Sequence, residues 1–144
     1  TVALRSFVKA DAPEKAEAIA DSMAEFGISS RGEMRLLSEE DQVALRSRFT
    51  DISAEFPVTV ADFVDHIDHA VEVMGLDHVA ISSDFDGGGG VDGWDDALET
   101  FNVTLELVKR GYTEDQVAQL WSGNTLRILR EAERVAAEMQ ASGL

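Results

Sequence analysis

Residues 59–86 read TVADFVDHIDHAVEVMGLDHVAISSDFD and predict an amphipathic helix followed directly by a buried strand. Thr59 and Asp62 have the types and spacing of a helix N-terminal cap, and Gly75 stands where a C-terminal cap is common. The apolar residues between them recur at helical spacing: Val60, Phe63, Val64, Ile67, Val71 and Met74. Residues 78–83, HVAISS, are short and rich in branched apolar residues. A helix that leads into a buried strand is typical of an α/β fold with a parallel sheet.

Helices are predicted on both sides of this segment, each from a capping signal. The predicted starts are Asp11–Pro13, Ser38, Asn102, Thr113 and a last amphipathic run from Leu126 to Met139. The sequence Ser122–Asn124 is expected to interrupt the last two helices. Only one other strand is predicted, in residues 1–7, TVALRSF. Because two strands cannot form an independent parallel sheet, we expect the chain to be largely helical and a piece of a longer protein.

The composition predicts one soluble globular domain and excludes several partners. The chain has 144 residues, 44% of them hydrophobic and 28% charged, and a formal net charge of −16. Nucleic acids and anionic membrane surfaces would repel such a chain. No apolar run reaches the roughly 18 residues of a membrane span. Cysteine is absent, which excludes disulfides and thiolate chemistry and favours a cytoplasmic location.

The glycine-rich stretch after the predicted strand, DFDGGGGVDGWDD at residues 84–96, permits three interpretations. Gly88, Gly90 and Gly93 have dinucleotide-loop spacing, but the surrounding aspartates would repel a pyrophosphate. Residues 87–95 also fit one copy of a calcium-binding nonapeptide, an architecture that works by stacking repeats. A solvated acidic turn is the third interpretation. The position of Asp84, just past a strand end, favours a functional site, because ligands and catalytic groups of α/β proteins lie there.

The histidines permit a metal site but do not require one. Asp62, His66 and His69 share a helix face at positions i, i+4 and i+7, a spacing at which zinc can be bound. They lie away from the apolar stripe, which favours an ordinary polar face. His78 stands at the opposite end of the predicted strand from Asp84, and we expect it to be structural.

Two longer segments resemble the C-terminal part of the membrane dipeptidase (renal dipeptidase) family. They are VADFVDHIDHAVEVMGLDHVAISSDFDGGGGVDGW, residues 60–94, and NVTLELVKRGYTEDQVAQLWSGNTLRIL, residues 102–129. The DHIDH helix, the SDFDG strand end, the RGY turn and the GN helix start occur in the family's order. The resemblance implies the last two strands and the helices of a metal-dependent-hydrolase TIM barrel, which takes about 250 residues in full.

The resemblance also implies an organisation for the chain. Residues 1–144 would be a single C-terminal fragment of the barrel domain. Within it, 9–56 would be a variable helical excursion, 59–96 the helix, strand and loop that carry the site, and 102–141 the C-terminal helices. The partners implied are a dipeptide substrate and the remainder of the barrel, with no nucleic acid and no membrane contact from this segment. A homo-oligomer is compatible with the sequence.

The activity that the resemblance implies is dipeptide hydrolysis by a water bound to two zinc ions. The family's zinc ligands would lie upstream of Thr1, so none is assigned here, and the isolated chain is expected to be inactive. Asp84 matches the aspartate after the eighth strand, which faces the metal-bound water and can transfer its proton. Asp86 and Gly87 would shape the substrate end of the loop, although Asp86 could equally brace it. The alternatives are a stand-alone helical module that binds calcium through the acidic loop, and a homologue that has lost catalysis.

Overall fold

Helices joined by short turns account for most of the chain. The computed structural model describes residues 8–85 and 90–143, so the strand predicted at residues 1–7 lies outside it. The α-helices are α1 (Pro13–Glu25), α2 (Glu39–Glu55), α3 (Val60–Met74), α4 (Thr100–Lys109), α5 (Glu114–Ala118) and α6 (Asn124–Ala141). Short 3₁₀ turns occupy Arg31–Leu36, Leu76–His78 and Ala97–Glu99, and a π turn occupies Gln119–Gly123.

The chain divides into two compact units, the smaller of which is residues 10–57. It consists of α1, the 3₁₀ turn Arg31–Leu36 and α2, with Ile19, Ile28 and Leu45 buried. Arg48 of α2 forms an ion pair with Glu25 at the end of α1. A small apolar core and this surface ion pair therefore hold the two helices of this unit together.

The larger unit contains residues 58–143 together with Val8 and Lys9. Its core is built from α3, α4, the π turn and the chain between α3 and α4. The buried side chains are Val58, Phe63, Val64, Ile67, Val79, Ile81, Val91, Trp94, Val103, Leu107 and Leu120. The predicted stripe of α3 supplies three of them, whereas Met74 at its end is 50% exposed. The core therefore gathers around the first half of α3.

Side-chain caps start α2, α3 and α5 as predicted, whereas α1, predicted to be capped from Asp11, has none. The Thr59 hydroxyl accepts a hydrogen bond from the Asp62 N–H, and the Asp62 carboxylate accepts one from the Thr59 N–H at 2.9 Å. The prediction that Asn102 caps a helix is wrong, because α4 already begins at Thr100. Asn102 instead donates its side-chain N–H to the Gly93 carbonyl at 2.7 Å.

The predicted strand at residues 78–83 does not form a β-ladder within the described residues. His78 ends a 3₁₀ turn, and the chain continues extended, with Val79 at φ −110° and ψ 133°. Val79 and Ile81 are buried, as predicted, but the Ile81 N–H donates to the Leu120 carbonyl of the π turn at 2.9 Å. Isolated bridges pair Thr59 with Asp92 and Val91 with Trp94. The TIM barrel therefore stays a prediction.

The predicted break at Ser122–Asn124 is a π turn that connects α5 to α6. A Cβ at Gly123 would lie 3.2 Å from the Ala118 carbonyl oxygen, which explains why glycine occupies this position. The widened turn leaves the Leu120 carbonyl available to the Ile81 N–H. No helix in the described part of the chain is long and apolar enough to cross a membrane.

Arg110, at the end of α4, donates four side-chain hydrogen bonds, three of which reach α3. Its guanidinium donates to Asp65 at 2.5 Å and to Asp68 at 2.7 Å, both on α3, and to Glu106 of α4 at 3.0 Å. A fourth bond reaches the Ala61 carbonyl at 2.9 Å. One cation thus offsets three carboxylates that would otherwise repel one another.

Tyr112 strengthens the same junction. Its hydroxyl donates to the Asp68 carboxylate at 2.6 Å. Burial, followed by this hydrogen bond, raises the pKa of Tyr112 above its ordinary value, so the hydroxyl stays a donor. The RGY turn and the two aspartates of DHIDH are therefore parts of one helix junction.

We predict that Arg110→Ala lowers the free energy of unfolding by about 2 kcal/mol, because it removes charge-assisted hydrogen bonds and leaves three carboxylates uncompensated. Urea unfolding followed by circular dichroism measures the change. Arg134→Ala is the matched control, because Arg134 pairs with Glu131 and Glu138 on an exposed face of α6. Equal decreases in the free energy of unfolding in the two variants would contradict the prediction that Arg110 stabilises the helix junction more than a surface arginine does.

Candidate functional site

Asp84, the predicted catalytic residue, is half-buried at the end of the extended segment 79–83. Contacts on the π-turn side fix the start of that segment. The Asn124 side chain, 5% exposed, donates to the Leu76 carbonyl at 2.7 Å and to the Val79 carbonyl at 2.8 Å. Together with the bond from Ile81 to the π turn, these contacts hold the backbone that leads to Asp84.

An aromatic cluster fixes the residue after Asp84. The Phe85 ring meets Trp94 edge-on, with centroids 5.6 Å apart. The Trp94 ring also packs against the rings of Phe63 and Trp121, with centroid distances of 5.3 Å and 5.8 Å. Such tilted and edge-on pairs are the favoured aromatic geometries. Asp84 therefore lies between two anchored stretches of backbone.

Hydrogen bonds lock the Trp94 and Trp121 rings in place. The Trp94 indole N–H donates to the Thr100 hydroxyl at 3.1 Å, and the Trp121 indole N–H donates to the Thr104 hydroxyl at 2.9 Å. Both acceptors lie on α4. The start of α4 thus supports the aromatic cluster beside Asp84.

Backbone hydrogen bonds hold the described part of the glycine-rich loop in place. The Asp92 N–H donates to the Val58 carbonyl at 2.7 Å, and its carbonyl accepts from the Val60 N–H at 3.2 Å. Gly90 and Gly93 have φ of +75° and +89°, a conformation that favours glycine. Asp86 and Gly87, the predicted substrate-binding residues, lie outside the described residues, and so does Gly88.

The aspartates that follow have local structural roles. The Asp96 carboxylate caps the next 3₁₀ turn by accepting from the Leu98 N–H at 2.7 Å, and the Asp95 N–H donates to Glu99 at 2.8 Å. Across residues 8–85 and 90–143, no three His, Asp or Glu side chains converge closely enough to hold a metal ion. The described side chains therefore do not form a zinc ligand set.

On the helix face with Asp62, His66 and His69, Asp62 serves in the N-terminal cap of α3. Lys9 donates to the Asp62 carboxylate at 2.8 Å, and the same carboxylate closes the α3 capping box. The Lys9 hydrogen bond, followed by that from the Thr59 N–H, lowers the pKa of Asp62 below its ordinary value. His66 is half-buried and His69 is exposed.

His78 lies with a different group of residues. It lines a cleft of about 310 Å³ beside Asn124 and Arg127, at the start of the extended segment. His78 precedes residues 79–83 and Asp84 follows them, so the two side chains belong to opposite ends of the extended segment.

The sequence interpretation missed the residues that support Asp84. Asn124 was recognised as part of a GN motif, but its two carbonyl partners are 45 and 48 residues away in sequence. The signal that could have indicated its role is an asparagine inside a helical region, where this residue type is unfavourable unless its amide has a specific partner.

The chain matches the sequence model of one peptidase family. The sequence model described as "Membrane dipeptidase (Peptidase family M19)" matches residues 32–143. The chain belongs to this family, which confirms the resemblance seen in its sequence.

Curated relatives carry dipeptidase names. The chain is 41% identical over 81 residues to "Dipeptidase ataJ" of Aspergillus terreus, covering 56% of this chain and 20% of the relative. It is 31% identical over 110 residues to "Dipeptidase aclJ" of Aspergillus oryzae, covering 74% and 26%. The chain thus spans about a quarter or less of the length of these relatives.

A solved structure shares the fold. The "probable dipeptidase PvdM from Pseudomonas aeruginosa" superposes with a TM-score of 0.66 at 34% sequence identity. The match covers 88% of this chain and 34% of the other chain.

The capping carboxylate of Asp62 predicts an acid-dependent loss of stability. Because the folded state lowers its pKa from 3.8, the unfolded chain binds the proton more readily. The stabilisation is complete above pH 3.8 and is lost as the pH falls through the lower pKa of the folded state. We expect Asp62→Asn to unfold more easily at pH 7 by about 0.5–1 kcal/mol.

Urea unfolding at pH 7, 4 and 3 measures this difference. The difference in the free energy of unfolding between the wild type and Asp62→Asn should shrink below pH 4, because a protonated aspartate and an asparagine are both uncharged. A difference that stays constant over this range would contradict the assignment.

Proposed function

We propose that this chain forms part of a metallo-dipeptidase, in which it supplies one flank of the active site. Membership of the dipeptidase family and the anchoring of Asp84 on both sides support the proposal. The observation that carries most weight is that one of the family's motifs meets the segment before Asp84: Asn124 of the GN motif donates to the Val79 carbonyl. The proposed substrates are dipeptides, as the names of the relatives suggest.

In the proposed reaction, water adds to the peptide carbonyl, a C–O bond forms and the C–N bond breaks. Asp84 accepts a proton from the attacking water and passes it to the leaving amine nitrogen, a role suited to a carboxylate. Asp86 and Gly87 are proposed to face the substrate from the same loop.

The family resemblance implies two zinc ions. Since the described residues do not form a zinc ligand set, we propose that residues elsewhere in the enzyme hold both ions. The remainder of a TIM barrel is then the main partner of this chain, with residues 9–56 as a helical excursion from it. Location in the cytoplasm stays a prediction that rests on the absence of cysteine.

We predict that Asp84→Asn in the complete dipeptidase lowers kcat by about 10²–10⁴-fold, the usual contribution of a general acid or base. Zinc content, measured by plasma emission spectroscopy, should stay unchanged because Asp84 is not proposed as a ligand. Asp77→Asn is the matched control, an exposed aspartate in the 3₁₀ turn that precedes the same segment. A rate within a few-fold of the wild type for Asp84→Asn would overturn the assignment.

We also predict that the 144-residue chain alone, supplied with zinc, does not hydrolyse dipeptides. The reason is that the proposed zinc ligands belong to other parts of the enzyme. A ninhydrin assay against a panel of dipeptides provides the measurement. Turnover at an ordinary enzymatic rate, about 1–10³ per second, would show that the chain is catalytically complete.

A further inference from the structure

Asn124 is a polar side chain buried in the core of the larger unit, with 5% of its surface exposed. A buried carboxamide is costly unless its hydrogen-bonding groups are satisfied. Its Nδ2 donates two hydrogen bonds to backbone carbonyls, those of Leu76 and Val79, at 2.7 and 2.8 Å. These carbonyls belong to a 3₁₀ turn and to the start of the extended segment.

We infer that Asn124 is the positioning residue that sets the location of the Asp84 carboxylate, an inference that rests on the proposed function. Its two bonds fix the backbone at residues 76 and 79, and the Leu120 carbonyl fixes it again at Ile81. Only Ser82 and Ser83 separate Ile81 from Asp84. Packing of Phe85 against Trp94 holds the other side.

The chemistry of this position requires asparagine. Two carbonyl oxygens need two N–H donors from one short side chain, and aspartate has the same shape but no donor. In Asn124→Asp the new carboxylate would face both oxygens with like partial charge, so the segment would have to move away from it. Displacement of a catalytic group by about 1 Å can cost about 10²-fold in rate.

The first test uses the 144-residue chain and needs no catalytic activity. In Asn124→Asp, amide hydrogen exchange at Ile81 should accelerate at least about tenfold, and NMR shifts of residues 79–84 should change. Asn102→Asp is the matched control, since Asn102 also donates its amide to a carbonyl, that of Gly93. The control should perturb residues 91–94 and leave Ile81 protected. Unchanged exchange at Ile81 in Asn124→Asp would overturn the inference.

The second test is a double-mutant cycle in the complete dipeptidase. Asn124→Asp should lower kcat by about 10²-fold with KM within about twofold, because the substrate-binding groups stay in place. In an Asp84→Asn background the same substitution should have almost no further effect, since it acts through the missing carboxylate. Persistence of the full loss in that background would show that Asn124 acts elsewhere and would overturn the inference.

A milder variant keeps the inference testable if Asn124→Asp does not fold. Gly123→Ala places a Cβ 3.2 Å from the Ala118 carbonyl oxygen and so shifts Asn124 slightly without changing its donors. It should accelerate exchange at Ile81 and lower kcat in the same direction by a smaller factor, and no change at Ile81 would overturn the inference. The two proposals fail separately: a neutral Asp84→Asn refutes the proposed function, whereas the exchange at Ile81 and the double-mutant cycle decide the role of Asn124.

Discussion

The backbone of residues 76–81 needs hydrogen-bond partners, and the path of the chain to Asp84 depends on how they are supplied. Residues 76–78 form a 3₁₀ turn, and the chain then runs extended with Val79 and Ile81 buried, where unpaired peptide groups are costly. Within the described residues, a side-chain amide bonds it at Leu76 and Val79, and a π-turn carbonyl bonds it at Ile81. This arrangement requires the GN sequence, because Gly123 permits the turn and Asn124 supplies both donors.

Two further sets of contacts hold the larger unit together. In one, Trp94 links Phe63 of α3 to Phe85 and Trp121, and its indole is held by the start of α4. In the other, Arg110 gathers carboxylates of α3 and α4 around one guanidinium. In a chain of net charge −16, this concentration of acids is tolerable because the cation lies among them.

Family membership gives these contacts a functional context. The motifs shared with the membrane dipeptidase family are mostly structural in this chain: DHIDH contributes two acceptors for Arg110, RGY contributes the arginine and a tyrosine, and GN holds the extended segment. Shared motifs of a peptidase family therefore need not be catalytic. The one proposed catalytic group, Asp84, is positioned by residues far away in sequence.

The amino-acid sequence by itself determined the helices and the family. Capping residues such as Thr59 and Thr113, and the stripe of Phe63, Val64 and Ile67, act over short stretches of chain, so local pattern revealed them. The tertiary structure alone decided that residues 79–83 run extended without a ladder to other described residues, that Asn102 bonds a loop instead of capping, and that Asn124 holds the chain before Asp84. These outcomes depend on partners 9 to 48 residues away, and hydrogen bonds between distant backbone and side-chain atoms leave no periodic signal in the sequence.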